Sequence, residues 1–223
     1  MTPPTLTALL AETVAADPGS TALIDAQPRI RRVSRAELWQ RVVSVRDDLR
    51  DRGVGQGDCV AVWMPNWSDA VVWQFAAAAL GAHVIGLNTR YGPADVAHVL
   101  ERARPSVVAL AHGFLDIDLG PTLHRAVSDA GVAPPSVALV TGPDAAPARD
   151  VAAADVGAGA WTPRQPHGGD PDLSALDGAP DALAVAFTTS GSTDGRSSPR
   201  TSGARWRLTC APSPPPVAGA RRR

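Results

Sequence analysis

Lysine does not occur in this 223-residue sequence: all 21 basic side chains are arginine. A site that needs a compact ammonium would have to make do with a planar guanidinium fork. Arginine alone, with so much Ala, Gly and Pro, points to a GC-rich gene. Cysteine is nearly absent too. Cys59 and Cys210 are the two present, far apart and without metal-ligand spacing. Cys59 lies in the apolar run Cys59-Val60-Ala61-Val62 and reads as a small buried hydrophobe. The five histidines include no i, i+4 pair and have no cysteine nearby, so no metal site is expected. His83 and His98 read as element-end or surface residues. No apolar run reaches the ~18 residues a membrane helix needs. Met1-Thr2-Pro3-Pro4 has neither a basic n-region nor an h-region, so no secretory signal is expected and the location follows as cytoplasmic. Aromatics are scarce at 4%. Trp63, Trp67 and Trp73 read as packing groups rather than a base-stacking platform.

Acidic residues are missing from one end. Residues 1–195 hold 14 arginines and all 22 acidic residues, a net −8, whereas residues 196–223 hold seven arginines and no acid. What remains is normal for a globular chain, with 44% apolar residues supplied mainly by Ala and Val. Helix and strand patterns alternate through the first three-quarters. Leu6, Leu9, Leu10 and Val14 have helical spacing over Leu6 to Ala16, and Thr21 to Ile24 follows as a short strand. Ser34-Arg35-Ala36-Glu37 has the form of a capping box opening a helix with Leu38, Val42, Val45 and Leu49 on one face, ending near Gly53. Asp47-Asp48 reads as its solvated side. Cys59 to Trp63 is a continuous apolar strand before a Pro65-Asn66 turn. Asp69 to Leu80 is a helix stopped by Gly81, and His83 to Leu87 a strand. Pro93 opens a helix running to Arg104. Ser106 to Ala111, a helix around Leu123 to Ala130, and Val137 to Val140 continue the series. Gly142 to Pro180 reads as a long surface loop, and Leu183 to Phe187 as a last strand. Strands without alternation, separated by helices, predict an α/β fold with a mostly parallel sheet covered on both faces.

That last strand runs straight into Thr188-Thr189-Ser190-Gly191-Ser192-Thr193. Glycine admits close backbone approach to an anion, successive N–H groups can converge, and the hydroxyls add donors. Alone, such a cluster is as readily plain loop. Gly53-Val54-Gly55-Gln56-Gly57 precedes a strand, the reverse of a dinucleotide fingerprint, and reads as a connecting loop.

Thr189 to Thr193 match the first five positions of a phosphate loop of the form Thr-Ser-Gly-Ser/Thr-Thr-Gly-x-Pro-Lys. With Val33 to Leu38, Gly53 to Ala61, Met64-Pro65-Asn66, Leu80-Gly81-Ala82, Gly86 to Tyr91 and Val96 to Val108, the sequence resembles the AMP-forming acyl-CoA synthetases (adenylate-forming, AMP-binding enzymes). The resemblance implies a partial version of that family's large N-terminal domain. It implies ATP, Mg²⁺ and CoA as cofactors, and a carboxylic acid, with a fatty acid the first candidate, as substrate. Thr189, Ser190, Gly191, Ser192 and Thr193 would grip the ATP phosphates. The acid would attack the α-phosphorus to form an acyl-adenylate, and CoA thiolate would displace AMP.

Departures begin at once. Asp194-Gly195-Arg196-Ser197 stands where Gly-x-Pro-Lys is expected, so Ser197 occupies the lysine position and Asp194 adds negative charge beside the phosphates. These count against this chain holding the cofactors. The expected organisation is a truncated synthetase domain over 1–195 and an Arg/Pro-rich disordered tail over 196–223. The tail reads either as a basic arm for nucleic acid or acidic membrane or as out-of-frame translation. The second is favoured, because matching stops where the tail starts. No catalytic or metal-ligating residue is assigned. Val71, Val72, Phe75 and Leu80 are expected to lack cover without further strands and helices. The expected function is a truncated acid–CoA ligase inactive alone. Its alternatives are a non-catalytic remnant or interaction module, and, less favoured, a nucleic-acid binder.

Overall fold

The computed structural model describes residues 4–26, 29–115, 117–143, 159–166, 169–174, 176 and 178–188. Within them the order is α1 (Leu6–Ala16), β1 (Thr21–Asp25), β2 (Arg31–Ser34), α2 (Arg35–Asp51), β3 (Cys59–Trp63), α3 (Ser68–Ala79), β4 (His83–Gly86), α4 (Pro93–Ala103), β5 (Val107–Ala111), α5 (Gly120–Ala130), β6 (Ser136–Val140) and β7 (Val185–Ala186). β1 and β2 form an antiparallel pair. The other five strands among the described residues make a parallel sheet in the order β6-β5-β3-β4-β7.

That order follows from the handedness of parallel crossovers. The chain steps from β3 outward to β4, then returns past β3 to β5 and on to β6. Right-handed connections therefore place α3 on one face and α4 with α5 on the other. The packing agrees: α4 lies against α5, while α1, α2 and α3 pack on one another. β3 and β5 are buried at every position, as the unbroken apolar runs required.

Local chemistry fixes the helix ends. Thr5 accepts from the N–H of Ala8 (3.0 Å) to start α1, and Ser34 accepts from that of Glu37 (3.1 Å) to start α2. The reciprocal half of the expected capping box does not form, because the Glu37 carboxylate pairs with the Arg31 guanidinium instead. β2 was also not expected. Its Arg31-Arg32 start has no strand-like apolar pattern, and it exists by pairing with β1. Gly81 closes α3 at φ +70°, a conformation that favours glycine.

Three further expectations are corrected. Asp48 is not on a solvated face; it is 2% exposed. The described part of 142–180 is also more than surface loop. Trp161 donates its N–H to Val137 O (2.9 Å) and accepts from Leu139 N (2.8 Å), so it sits on the outer edge of β6. Its ring packs on Trp73 and under the Arg52 guanidinium, 3.4 Å from the ring centre. Beyond it, Trp39 Nε1 donates to Asp172 O (3.0 Å), and Leu176 is buried. The apolar face of α3 is covered as well: Val72 is 1% exposed, and Val71, Phe75 and Leu80 are half-buried against the core. Cover comes partly from α1, which packs on α3.

Candidate functional site

All five sheet strands point their carboxyl ends to one edge, and ligands of open α/β sheets bind along such an edge, commonly where strand order reverses. Here the reversal lies between β3 and β5. The crevice it opens is filled. Trp67, after β3, meets Phe114, after β5, edge-on with centroids 5.7 Å apart and planes at 87°. The Trp67 ring also lies on Gly142 after β6, leaving no room for a Cβ there: its nearest ring atom would be 2.9 Å away.

The neighbouring part of the edge, between β4 and β7, is built differently. Trp63, fully buried in β3, donates from Nε1 to Asn88 O (3.0 Å). Asn88 in turn organises a tight turn: its Oδ1 accepts from Arg90 N (2.9 Å) and its carbonyl from Tyr91 N (3.0 Å). The Tyr91 hydroxyl lies 3.1 Å from Oγ1 of Thr188, two residues past the end of β7. β7 runs parallel to β4, Val84 opposite Val185 and Ile85 opposite Ala186, so Thr188 emerges beside this turn. Thr189, Ser190, Gly191, Ser192 and Thr193, the phosphate-loop candidates, lie outside the described residues, as does the 196–223 tail. What the structure places is the doorway to the loop: the carboxyl edge of the sheet, beside exposed Asn88 and Arg90.

A second polar cluster sits where α3 begins. Asp25, 5% exposed at the end of β1, accepts from the N–H of Ser68 (2.8 Å), and Arg41 donates to Ser68 Oγ (3.0 Å) and to Asp69 Oδ1 (2.6 Å). A cavity of ≈ 170 Å³ adjoins it, lined by Arg31, Glu37, Arg41, Asp69, Trp73 and the 139–143 stretch among others. Its arginines are already paired internally, so it offers little free charge. A larger hollow of ≈ 390 Å³, lined by Arg104, Ser106 and Pro134 among others, opens at the opposite edge, where β5 and β6 begin. Size alone therefore does not select the site.

Two reactive groups, Cys59 and His83, lie at the opposite end of the sheet from the doorway. Cys59 and His83 face each other across the amino ends of β3 and β4. Burial, reinforced by the Asp58 carboxylate, pushes the Cys59 thiol up to about 12, which removes it as a nucleophile. Burial pushes the His83 imidazole below its ordinary value, against the opposing pull of Asp58. Among the described residues no group of three or more His, Cys, Asp or Glu could hold a metal ion, and no helix is long and apolar enough to cross a membrane. The Tyr91–Thr188 pairing and the Trp67 plug carry no sequence signal of their own, since each is made by residues far apart in the chain.

Comparison with known proteins agrees with this geometry. Residues 10–194 match the family described as AMP-binding enzyme. The chain belongs to that family. A Mycobacterium tuberculosis 3-[(3aS,4S,7aS)-7a-methyl-1,5-dioxo-octahydro-1H-inden-4-yl]propanoyl:CoA ligase is 38% identical over 109 residues, covering 49% of this chain and 21% of the ligase. Escherichia coli enterobactin synthase component F is 38% identical over 104 residues, 47% of this chain and 8% of that protein. Among solved structures, the R395G form of coronafacic acid ligase from Pectobacterium brasiliense aligns with TM-score 0.63 at 13% identity, over 83% of this chain and 33% of that one. Acetoacetyl-CoA synthetase from Streptomyces lividans aligns with TM-score 0.56 at 22% identity, over 71% and 24%. The fold is shared with adenylate-forming enzymes. The chain spans about a fifth of the length of the Mycobacterium ligase.

Proposed function

We propose that this chain is the amino-terminal part of an AMP-forming acid–CoA ligase, contributing the sheet edge and phosphate loop on which ATP activates a carboxylic acid. The observation that carries the reading is the family match over residues 10–194, ending at the loop that β7 aims toward the carboxyl edge. In this reading Thr189, Ser190, Gly191, Ser192 and Thr193 donate N–H and O–H groups to the ATP phosphates. Neutralising phosphate charge is the main source of rate in such transfers, and Mg²⁺ arrives with the nucleotide. A carboxylate oxygen attacks the α-phosphorus and pyrophosphate leaves. The thiolate of CoA then attacks the acyl carbon and AMP departs. An indenyl-propanoyl group and an acetoacetyl group appear in the names of similar ligases, so a fatty acid is one candidate among several kinds of carboxylic acid. The organisation proposed is a partial synthetase domain over 1–195 followed by the Arg/Pro-rich stretch 196–223, in a cytoplasmic protein.

Ser197 at the lysine position and Asp194 beside the phosphates favour a chain that does not turn over by itself. Two experiments test the pair of claims. The purified chain, given ATP, CoA and a panel of fatty, indenyl-propanoic and aromatic acids, should release no AMP above a buffer blank. Turnover that tracks with the protein would overturn the inactivity. Residues 10–193 exchanged for the family-equivalent stretch of the Mycobacterium ligase should give a folded chimera that still catalyses acid-dependent ATP–pyrophosphate exchange. A chimera with a cooperative melt and no exchange for any acid would sink the ligase assignment.

A further inference from the structure

We propose that Tyr91 is a positioning residue whose phenolic hydroxyl holds Thr188, and with it the entrance to the 189–193 loop, against the turn that follows β4. The inference rests on the phosphate-loop reading for its purpose, though not for its geometry.

β7 by itself holds its end weakly. It is two residues long, both half-buried, and pairs with β4 alone among the described strands. Phe187, the next residue, is 75% exposed and contributes little anchoring. The last ladder pair is Ile85–Ala186, so Thr188 lies beyond the sheet's own hydrogen bonds. The Tyr91 hydroxyl reaches it there, 3.1 Å from Oγ1.

The other end of the tether is firm. The Tyr91 ring is packed against the core, and its N–H donates to Asn88 O, the same carbonyl that receives the indole N–H of fully buried Trp63. Leu87 N donates to Val62 O, which ties the turn to β3 as well. A line of contacts thus runs from the central strand through Asn88 and Tyr91 to Thr188. A loop whose first residue is fixed keeps its backbone donors in one place at smaller entropic cost, which is what an anion-binding loop requires. A hydroxyl pair suits the task because either oxygen can donate.

The test uses the full 223-residue chain and amide hydrogen exchange. Tyr91→Phe keeps the ring and deletes the hydroxyl; Thr188→Val deletes the partner at nearly constant shape; Thr188→Ser keeps a hydroxyl. Peptides spanning 187–193 should exchange roughly fivefold faster in Y91F and in T188V, the change expected from losing one ordinary hydrogen bond. The double variant should be no faster than either single one, and T188S should match wild type. Peptides from β3 should be unchanged in all four. Wild-type rates at 187–193 in both single variants overturn the proposal, as does a uniform rise that includes β3. Millimolar Mg²⁺-pyrophosphate tests the loop reading separately. Protection of 189–193 in wild type supports it. Absent protection counts against the phosphate loop while the Y91F result still decides the tether.

Discussion

Arg164 donates its main-chain N–H to Oδ2 of Asp48 across 2.7 Å, tying the 159–166 segment to α2 over a sequence separation of 116 residues. The other carboxylate oxygen faces Arg164 Nε at 3.2 Å and Arg52 Nη1 at 3.4 Å. A carboxylate whose side chain is only 3% exposed is tolerable because donors surround it. Removing it leaves the Arg164 N–H and two partly exposed guanidinium groups short of an acceptor. Asp48→Ala should therefore cost about 2–4 kcal/mol, and Asp48→Asn, which keeps one acceptor, about 1–2 kcal/mol. Urea unfolding of the three proteins measures this directly. An Asp48→Ala midpoint within the range of ordinary surface substitutions would mean that the segment is not latched through this carboxylate.

Gly142 is required by Trp67. Its φ of +81° favours glycine, and an added Cβ would come within 2.9–3.2 Å of three indole ring atoms. Gly142→Ala should destabilise the protein by about 1–3 kcal/mol, from backbone strain and from displacement of the ring. Pairing it with Trp67→Phe should recover the steric share and leave the backbone share. If the alanine variant melts with wild-type stability, the switch-point crevice is looser than the Trp67–Phe114 contact implies.

How much of this was legible beforehand depended on sequence distance. Cys59–Trp63 and Val107–Ala111 read as buried strands because both sheet faces are covered, so the apolar run is unbroken. Leu38, Val42, Val45 and Leu49 read as one helix face because local period alone fixes them, and all four are buried. β2 did not read as a strand, since Arg31 and Arg32 pair with Asp25 and Ile24, respectively, without any apolar signature. Asp48 looked like surface because part of its cover comes from Arg164, 116 residues on, which no periodicity on α2 could announce. The phosphate-loop candidates rest on motif alone, and the turn before them was partly legible: Tyr91 belongs to a block matching the family, but its partner lies 97 residues on.

The start of α3 carries its cap on another element. Trp67 occupies the N-cap position and gives no side-chain hydrogen bond, while Asp25 from β1 accepts from Ser68 N at 2.8 Å. A carboxylate there also meets the positive end of the helix. Asp25→Ala should cost about 1–2 kcal/mol. Asp25→Asn should cost less, because one oxygen still caps and the other, Oδ2, has no donor to lose. Thermal melts of both variants decide it. Equal and negligible losses would show that α3 begins without help from β1.

The outer half of the latch sets a pH dependence. The Asp51 carboxyl is held below its ordinary value first by the hydrogen bond from Arg164, against desolvation, and then by the charges of Arg164, Arg50 and Arg52. A depressed folded-state value means that the unfolded chain binds the proton more readily. The pair's contribution is thus present above the unfolded value, about pH 3.9, and is lost as pH falls through the folded one. Arg164 is shifted upward by the same contact and stays charged across this range, so it adds no window of its own. Asp51→Asn should lower the melting temperature at about pH 6–7, and the gap from wild type should narrow as pH falls below the unfolded value and close in stronger acid. With the two side chains 47% and 49% exposed, the gap should also shrink in ~0.5 M salt. A gap that persists unchanged into acid and salt would assign the Asn effect to packing or backbone, and the charge pair would have no part in fastening the segment to α2.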